Sequence, residues 1–264
     1  MKLKQLLLFV LCLGAFACST ESTNTQEEPT NDNTLVKKIV FDAGTADEYP
    51  VNYNYDGNKL TSVDYGGGYK NVYTYDANDN LIKDEYFEAN ELSASIALEY
   101  STDNKINKFT ETFLEPSGLN DRQYEYIFNY NNDGTITMEV YVNYNNTSFE
   151  LDETETITFE GMNLKEISYD DGFTITYAYD DKNNAFKNIH AIEVLNILSE
   201  NEFGAFIPGT TNNITSYVES GAFAGNENDT YEYTYNDQNY PITGTITFQY
   251  GSYSEVSTID FYYE

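Results

Sequence analysis

The chain has 264 residues, with 44 Asp and Glu against 13 Lys and Arg, and a formal net charge of −31. A field of that sign repels nucleic acid and anionic lipid surfaces, so no nucleic-acid partner is expected. Two cysteines and one histidine leave too few soft ligands for a Cys/His zinc site and no Cys–His nucleophile pair within a mature domain.

The amino terminus has the layout of an export leader. Lys2 and Lys4 form a basic start, and Leu6 to Phe16 is an apolar run of Leu, Phe, Val, Cys, Gly and Ala. That run is shorter than the roughly 20 residues a bilayer span needs, so residues 1–17 are expected to be a signal peptide cleaved after Ala17. Ala15-Phe16-Ala17 meets the small-x-small rule for ordinary secretion, whereas Ala17-Cys18 resembles a lipobox. Ala15 stands where lipoboxes commonly carry Leu, and Phe16 is bulky. Cys12 leaves with the leader, so Cys18 becomes the sole thiol and no internal disulfide can form. Lipid attachment at Cys18 accounts for a lone thiol at the first mature position, and two or three acyl chains anchor where one binds weakly. The expectation is a lipoprotein anchored in the outer membrane, on its cell-surface or periplasmic side. Removing Lys2 and Lys4 leaves 11 basic residues against 44 acidic, a mature charge of −33.

Residues 18–34 read as a tether: beyond Cys18 they are Ser, Thr, Glu, Gln, Asn, Asp and one Pro, with no aliphatic or aromatic side chain to offset ordering entropy. Residues 35–264 read as one β-hairpin-repeat domain. Tyr53-Asn54-Tyr55 precedes Asp56-Gly57-Asn58, Tyr73-Thr74-Tyr75 precedes Asp76 to Asn80, and Tyr100 precedes Ser101 to Asn104. The same unit recurs at Tyr124 to Tyr130, Ile157 to Phe159, Phe173 to Tyr179 and Tyr231 to Tyr235. Period-2 alternation puts every second side chain on one face of a strand, and Asn, Asp and Gly at the breaks suit tight hairpin loops. Tyr73, Tyr126, Ile175 and Tyr233 are thereby placed on strand faces. Leu60-x-x-Val63, Ile106-x-x-Phe109 and Leu164-x-x-Ile167 open return strands at a spacing of three, which predicts a bulge after each turn. Repeated bulges would curl a long antiparallel meander into a trough or a partial or closed barrel. Phe186, Ile189, Ile192, Leu195 and Leu198 recur at steps of three, so a helical segment near 187–202 is expected, covering an end or open face of the sheet.

Taken in order, the tyrosine–Asp hairpins, Tyr179 to Asn188, Asn212-Asn213-Ile214, Tyr231 to Asn236 and Tyr240-Pro241 resemble a bacterial lipoprotein family. It is classed as a domain of unknown function and described as having a porin-like fold. The resemblance covers roughly residues 50–264 and departs at Ala185, where the family commonly has Pro; the hairpin motif alone also resembles the tyrosine–aspartate repeats of large toxin shells. It implies a curved, many-stranded antiparallel sheet on a lipid-anchored envelope protein, and no catalytic residues. A membrane-spanning barrel is not expected, because the strands carry Glu, Asp and Lys among their tyrosines where lipid would require an apolar band.

No catalytic, cofactor-binding or metal residue is singled out, and no cofactor is expected. His190 reads as a packing or surface residue, and no Gly-x-Ser-x-Gly elbow accompanies it. Carboxylates are so abundant that close pairs arise by chance, and none stands in a sequence context that would raise its pKa; a carboxylate-dependent hydrolase is the weakest reading. Asp76 to Asn80 imitates the start of a calcium loop, but Leu81 and Phe87 occupy the positions of the turn Gly and bidentate Glu, which favours a hairpin loop. Gly66-Gly67-Gly68 joins two strands with no helix behind it, so it is no phosphate loop. The 26 tyrosines serve chiefly as sheet core, and exposed rows could stack on sugars or protein partners. The leading expectation is a monomeric, non-enzymatic binding module for a glycan, nutrient or protein partner; the alternative is a structural or assembly component of the envelope with no small ligand.

Overall fold

Residues that alternate between apolar and polar can hide one face of a strand, and a sheet long enough to curl can hide that whole face within itself. The computed structural model does this. It describes residues 33–114, 122–144, 148–199, 204–221, 225 and 227–264; the expected signal peptide, Cys18 and most of the expected tether lie outside them. The strands are β1 (Val36–Phe41), β2 (Tyr49–Asp56), β3 (Lys59–Gly66), β4 (Tyr69–Tyr75), β5 (Leu81–Glu88), β6 (Glu91–Tyr100), β7 (Ile106–Phe113) and β8 (Arg122–Tyr130). They continue as β9 (Ile136–Tyr144), β10 (Glu150–Glu160), β11 (Asn163–Tyr169) and β12 (Thr174–Tyr179), then α1 (Ile192–Ser199). Four more follow: β13 (Ile214–Ser220), β14 (Asn228–Tyr235), β15 (Pro241–Tyr250) and β16 (Tyr253–Tyr263). Each strand pairs antiparallel with its neighbours in sequence, and β16 closes on β1 through pairs such as Ile39 with Phe261, making a closed barrel.

The bulges fall where the three-residue spacing places them. Tyr55 pairs with Leu60 while Asn54 pairs with Ser62, so Thr61 is left over, and Leu60 and Val63 both turn inward with no exposure. The same slip follows the turns before Ile106, Leu164, Leu81 and Pro241. A second device travels with it. The last tyrosine of the outgoing strand reaches across and donates its hydroxyl to a carbonyl at the start of the preceding return strand. Tyr55 bonds Val36 O at 2.7 Å, Tyr75 Leu60 O at 3.0 Å, Tyr100 Leu81 O at 2.8 Å, Tyr179 Leu164 O at 2.6 Å and Tyr263 Pro241 O at 2.6 Å. The β8–β9 hairpin has no register slip, and its Tyr130 is 42% exposed.

The outward faces carry Thr, Ser, Asn, Lys and Glu: Asn52 and Asn54 on β2, Thr154 and Thr156 on β10, Thr243, Thr245 and Thr247 on β15. Lys108 lies 2.9 Å from Glu99 and 3.2 Å from Glu125 on this surface, ion pairs of the ordinary exposed kind. A lipid-facing barrel has the opposite arrangement, with an apolar outer band and a polar lumen. Among the described residues no helix is long and apolar enough to cross a membrane.

The 34-residue connection from Asp180 to Asn213 seals one end. The expected helix is shorter than its apolar spacing suggested: α1 covers Ile192–Ser199, while Asn184 to Ala191 is a run of turns, with Lys187 N bonding Asn184 O and Ile189 N bonding Phe186 O. Ala191 has φ of +58°, which breaks the helix at its start. Steps of three serve these turns as well as they serve a helix, and Phe186, Ile189, Ile192, Leu195 and Leu198 are all buried in the barrel core.

Polar side chains stitch this plug to the turns around it. The Asn163 carboxamide oxygen accepts from Thr211 N at 3.1 Å, Asn212 N at 3.3 Å and Thr210 Oγ1 at 3.1 Å. Asn184 donates to Pro208 O and Asn212 O, and Asn188 to Thr34 O and the Tyr240 hydroxyl. Asp180 accepts from Asn213 Nδ2 and from the Tyr235 hydroxyl. Thr34 and Glu264 belong to this sealed end, since Glu264 N bonds Leu35 O beside β1.

Candidate functional site

Sixteen strands enclose more space than wall side chains can fill; barrels of this size leave a channel unless something occupies it. Here tyrosines and the plug fill the sealed half, and the other half retains a chamber of about 430 Å³. The described residues leave this end uncovered, and it is called the mouth below. The chamber runs from Arg122 and Asp152 at the rim to Ile197 of α1. Its floor is aliphatic, with Leu164, Ile167, Ile157 and Ile175 joining Ile197. Phe109, Phe113, Tyr124, Tyr126, Tyr169 and Tyr217 supply aromatic walls, with Phe109 stacked on Tyr126 at 4.1 Å between ring centres. Tyr217 also borders a second void of about 400 Å³, lined in part by Phe206, Pro208, Glu227, Asp229 and Tyr231.

Carboxylates interrupt the apolar lining. Glu111 and Glu155 are buried on inward positions of β7 and β10, and Glu153 and Asp152 follow toward the rim. The Tyr126 hydroxyl donates to Glu111 Oε2 at 3.1 Å. On the adjoining wall Tyr65 donates to Asn71 Oδ1 at 2.9 Å, and Asn71 Nδ2 donates to Asp84 Oδ1 at 3.1 Å.

Burial raises the pKa of several of these groups. It pushes Asp84 up to about 7, opposed by the Asn71 hydrogen bond and assisted by the charges of Glu111 and Glu85. Burial also raises Glu153, with Asp152, Asp170 and Asp171 adding repulsion, and it raises Glu227 and Asp229 beside one another. The sequence reading that no carboxylate stands in a pKa-raising context is therefore corrected: the context is created by strand pairing, which no local window displays. Among the described residues Arg122 is the one basic side chain lining the chamber, its guanidinium carbon 4.6 Å from the Phe113 ring centre and 5.1 Å from that of Tyr124.

The mouth carries exposed rings. Tyr49, Tyr69, Tyr144, Phe248, Tyr250 and Tyr253 all sit at the mouth ends of their strands. Away from the mouth, Tyr53 and Tyr73 are buried and Tyr240 has no exposure, while Tyr130 in the hairpin without a bulge stays exposed.

The residues weighed in the sequence have structural posts. Cys18 lies outside the described residues. His190 lies at the sealed end, where Nε2 stands 2.7 Å from Asp79 O; a carbonyl only accepts, so Nε2 carries the proton, and His190 N bonds Asn58 O. Asp76 caps its own loop, accepting from Asn78 N and Asn80 N at 2.8 Å each, bonds that hold its carboxyl below the usual range. No group of three or more metal-ligating side chains occurs among the described residues. Gly66 to Gly68 all have positive φ, and a Cβ on Gly68 would meet Asn90 N at 2.9 Å, so the glycines serve a tight turn. The chamber carboxylates were not singled out in the sequence, although Phe109-x-Glu111-x-Phe113 and Glu153-x-Glu155-x-Ile157 mark charges inside an apolar stripe.

No protein-family model matches the sequence, and no curated protein matches it. Among solved structures the chain is similar to a porin-like protein from Bacteroides uniformis, at 12% identity and a TM-score of 0.40, over 87% of this chain and 98% of that one. It is likewise similar to a porin-like protein from Bacteroides vulgatus, at 15% identity and a TM-score of 0.42, over 88% and 99%. The barrel assignment rests on the strand pairing itself.

Proposed function

We propose that the chain is a lipid-anchored envelope protein that holds a small ligand in the chamber of its barrel and performs no chemistry on it. The observation that carries this reading is the chamber: about 430 Å³, with an aliphatic floor, aromatic walls and a few convergent polar groups, beside Ile197 of α1. The exposed rings at the mouth add a surface on which planar groups can stack during entry. The polar outer wall suits a barrel surrounded by water, and acylation at Cys18 supplies the membrane attachment that such a wall cannot. Thr34 O accepts from Asn188 at the sealed end, so the described chain enters the barrel there. A barrel stitched shut at one end favours a tethered binding module over a pore.

Two measurements test the reading. Metabolic labelling with a fatty-acid tracer is expected to mark the wild-type chain and not Cys18→Ala; equal labelling of both removes the anchor. A thermal-shift screen of the mature domain across glycans and small metabolites is expected to show a stabilising ligand whose effect is lost in Tyr124→Ala. Silence across the panel favours the structural role with no small ligand.

A further inference from the structure

Resting on that reading of the chamber, we infer that its ligand is an organic cation: a protonated amine or guanidinium carried on an aromatic or aliphatic body. The lining sets both halves of this description. Four carboxylates, Glu111, Asp152, Glu153 and Glu155, face the chamber against the single guanidinium of Arg122. Two of them, Glu111 and Glu155, are 2% and 6% exposed, so their field acts through a partly desolvated space where a charge is felt more strongly than in water. The adjoining void adds Glu227 and Asp229 on the same side of the ledger. An anion would add to the excess of acidic groups, and a neutral ligand would gain nothing from them. A cation offsets that excess.

The aromatic walls independently favour the same charge. Ring faces attract cations, and the Phe113–Tyr124 pair already holds one: the Arg122 guanidinium sits over both rings at the rim. Tyr126, stacked on Phe109 and bonded to Glu111, places a ring face and a carboxylate side by side deeper in the chamber. The ligand's body is set by the floor, which offers Leu164, Ile167, Ile175 and Ile197 and no charge. A cationic head near Glu111 and Glu155 with an apolar body against that floor uses every part of the lining. A fatty acid, a phosphate ester or an acidic sugar uses the floor or the rings at best.

A matched series separates charge from shape: tryptamine, tryptophol and indole-3-acetate share one ring system and differ in carrying a positive, no or a negative charge. The chain contains no tryptophan, so indole emission excited to the red of tyrosine reports the ligand alone. Titrating the mature domain against each probe and following indole anisotropy is expected to show tryptamine binding at least tenfold more tightly than tryptophol, with no binding of indole-3-acetate. Glu155→Gln is expected to weaken tryptamine and leave tryptophol unchanged; Asp152→Asn, at the exposed rim where folding is not at stake, should shift the pair the same way to a smaller degree. Tryptophol or indole-3-acetate binding as tightly as tryptamine would overturn the charge assignment while retaining the chamber as a binding site. If none of the three binds a folded domain, both the charge assignment and the binding chamber fall.

Discussion

The two ends of this barrel are made from the same hairpins and put to opposite uses. At the sealed end inward positions serve closure: bulges turn extra aliphatic side chains inward, tyrosine hydroxyls cross to neighbouring carbonyls, and the plug brings Phe186, Leu195 and Leu198 into the core. At the mouth the same alternation delivers rings to the rim and carboxylates to the wall, groups that cost stability when buried and gain value only with a partner. The lesson is that a wide barrel divides its interior, and the half it leaves incompletely packed is the half available for function.

Substitutions at the two ends should therefore separate stability from binding. The largest expected effect is Phe186→Ala, which removes a ring with 1% exposure packed 5.3 Å from Tyr53 and should cost about 3–5 kcal/mol in denaturant unfolding. Tyr124→Ala at the mouth should cost about 1 kcal/mol while abolishing chamber binding. Equal losses of stability at both positions would erase the distinction. Next comes Asn163→Ala, which strands the plug's Thr211 and Asn212 amides and should cost about 1–3 kcal/mol by the same measurement.

A smaller effect is read through pH. Asp84 has its folded pKa raised to about 7 from 3.8, so between those values the folded chain holds a proton that the unfolded chain has released. Its contribution is thus favourable at low pH and is lost as pH climbs from about 4 to 7, by about 1–2 kcal/mol after allowance for relaxation. Asp84→Asn should flatten that decline in stability measured across the window; an unchanged slope would show that Asp84 is not held neutral. The smallest expected change is Tyr100→Phe, about 1 kcal/mol for one lost hydroxyl bond to Leu81 O, against a few tenths for Tyr130→Phe in the hairpin without a bulge.

Local chemistry made the sealed end readable in the sequence. The spacing of Leu60 and Val63, or Ile106 and Phe109, states a bulge directly, because two residues three apart cannot otherwise share a face. Asp76, with Asn78 and Asn80 after it, states a self-capped turn. Closure of β16 on β1 joins residues over 200 positions apart, and no spacing encodes it; the sequence allowed a trough as readily as a barrel. The chamber was hidden for the same reason. Glu111 and Glu155 lie on different hairpins and come to line one chamber with Ile197 only after the sheet has curled. Among many surface carboxylates, Glu111 and Glu155 carry no local mark beyond the apolar stripe they interrupt. The step-of-three run from Phe186 placed the plug correctly but overstated its helix, since turns and helix bury residues at nearly the same interval.

Thiol labelling tests most directly whether the barrel is shut at one end and accessible at the other. In a Cys18→Ser background the domain has no other cysteine, so single reporters are unambiguous. With a maleimide under native conditions, Tyr124→Cys should react readily, while Ala185→Cys, 2% exposed within the plug, should react only as fast as the chain unfolds. Rapid native labelling at position 185, or lasting protection at position 124 without ligand, would contradict a sealed barrel with a chamber at its mouth.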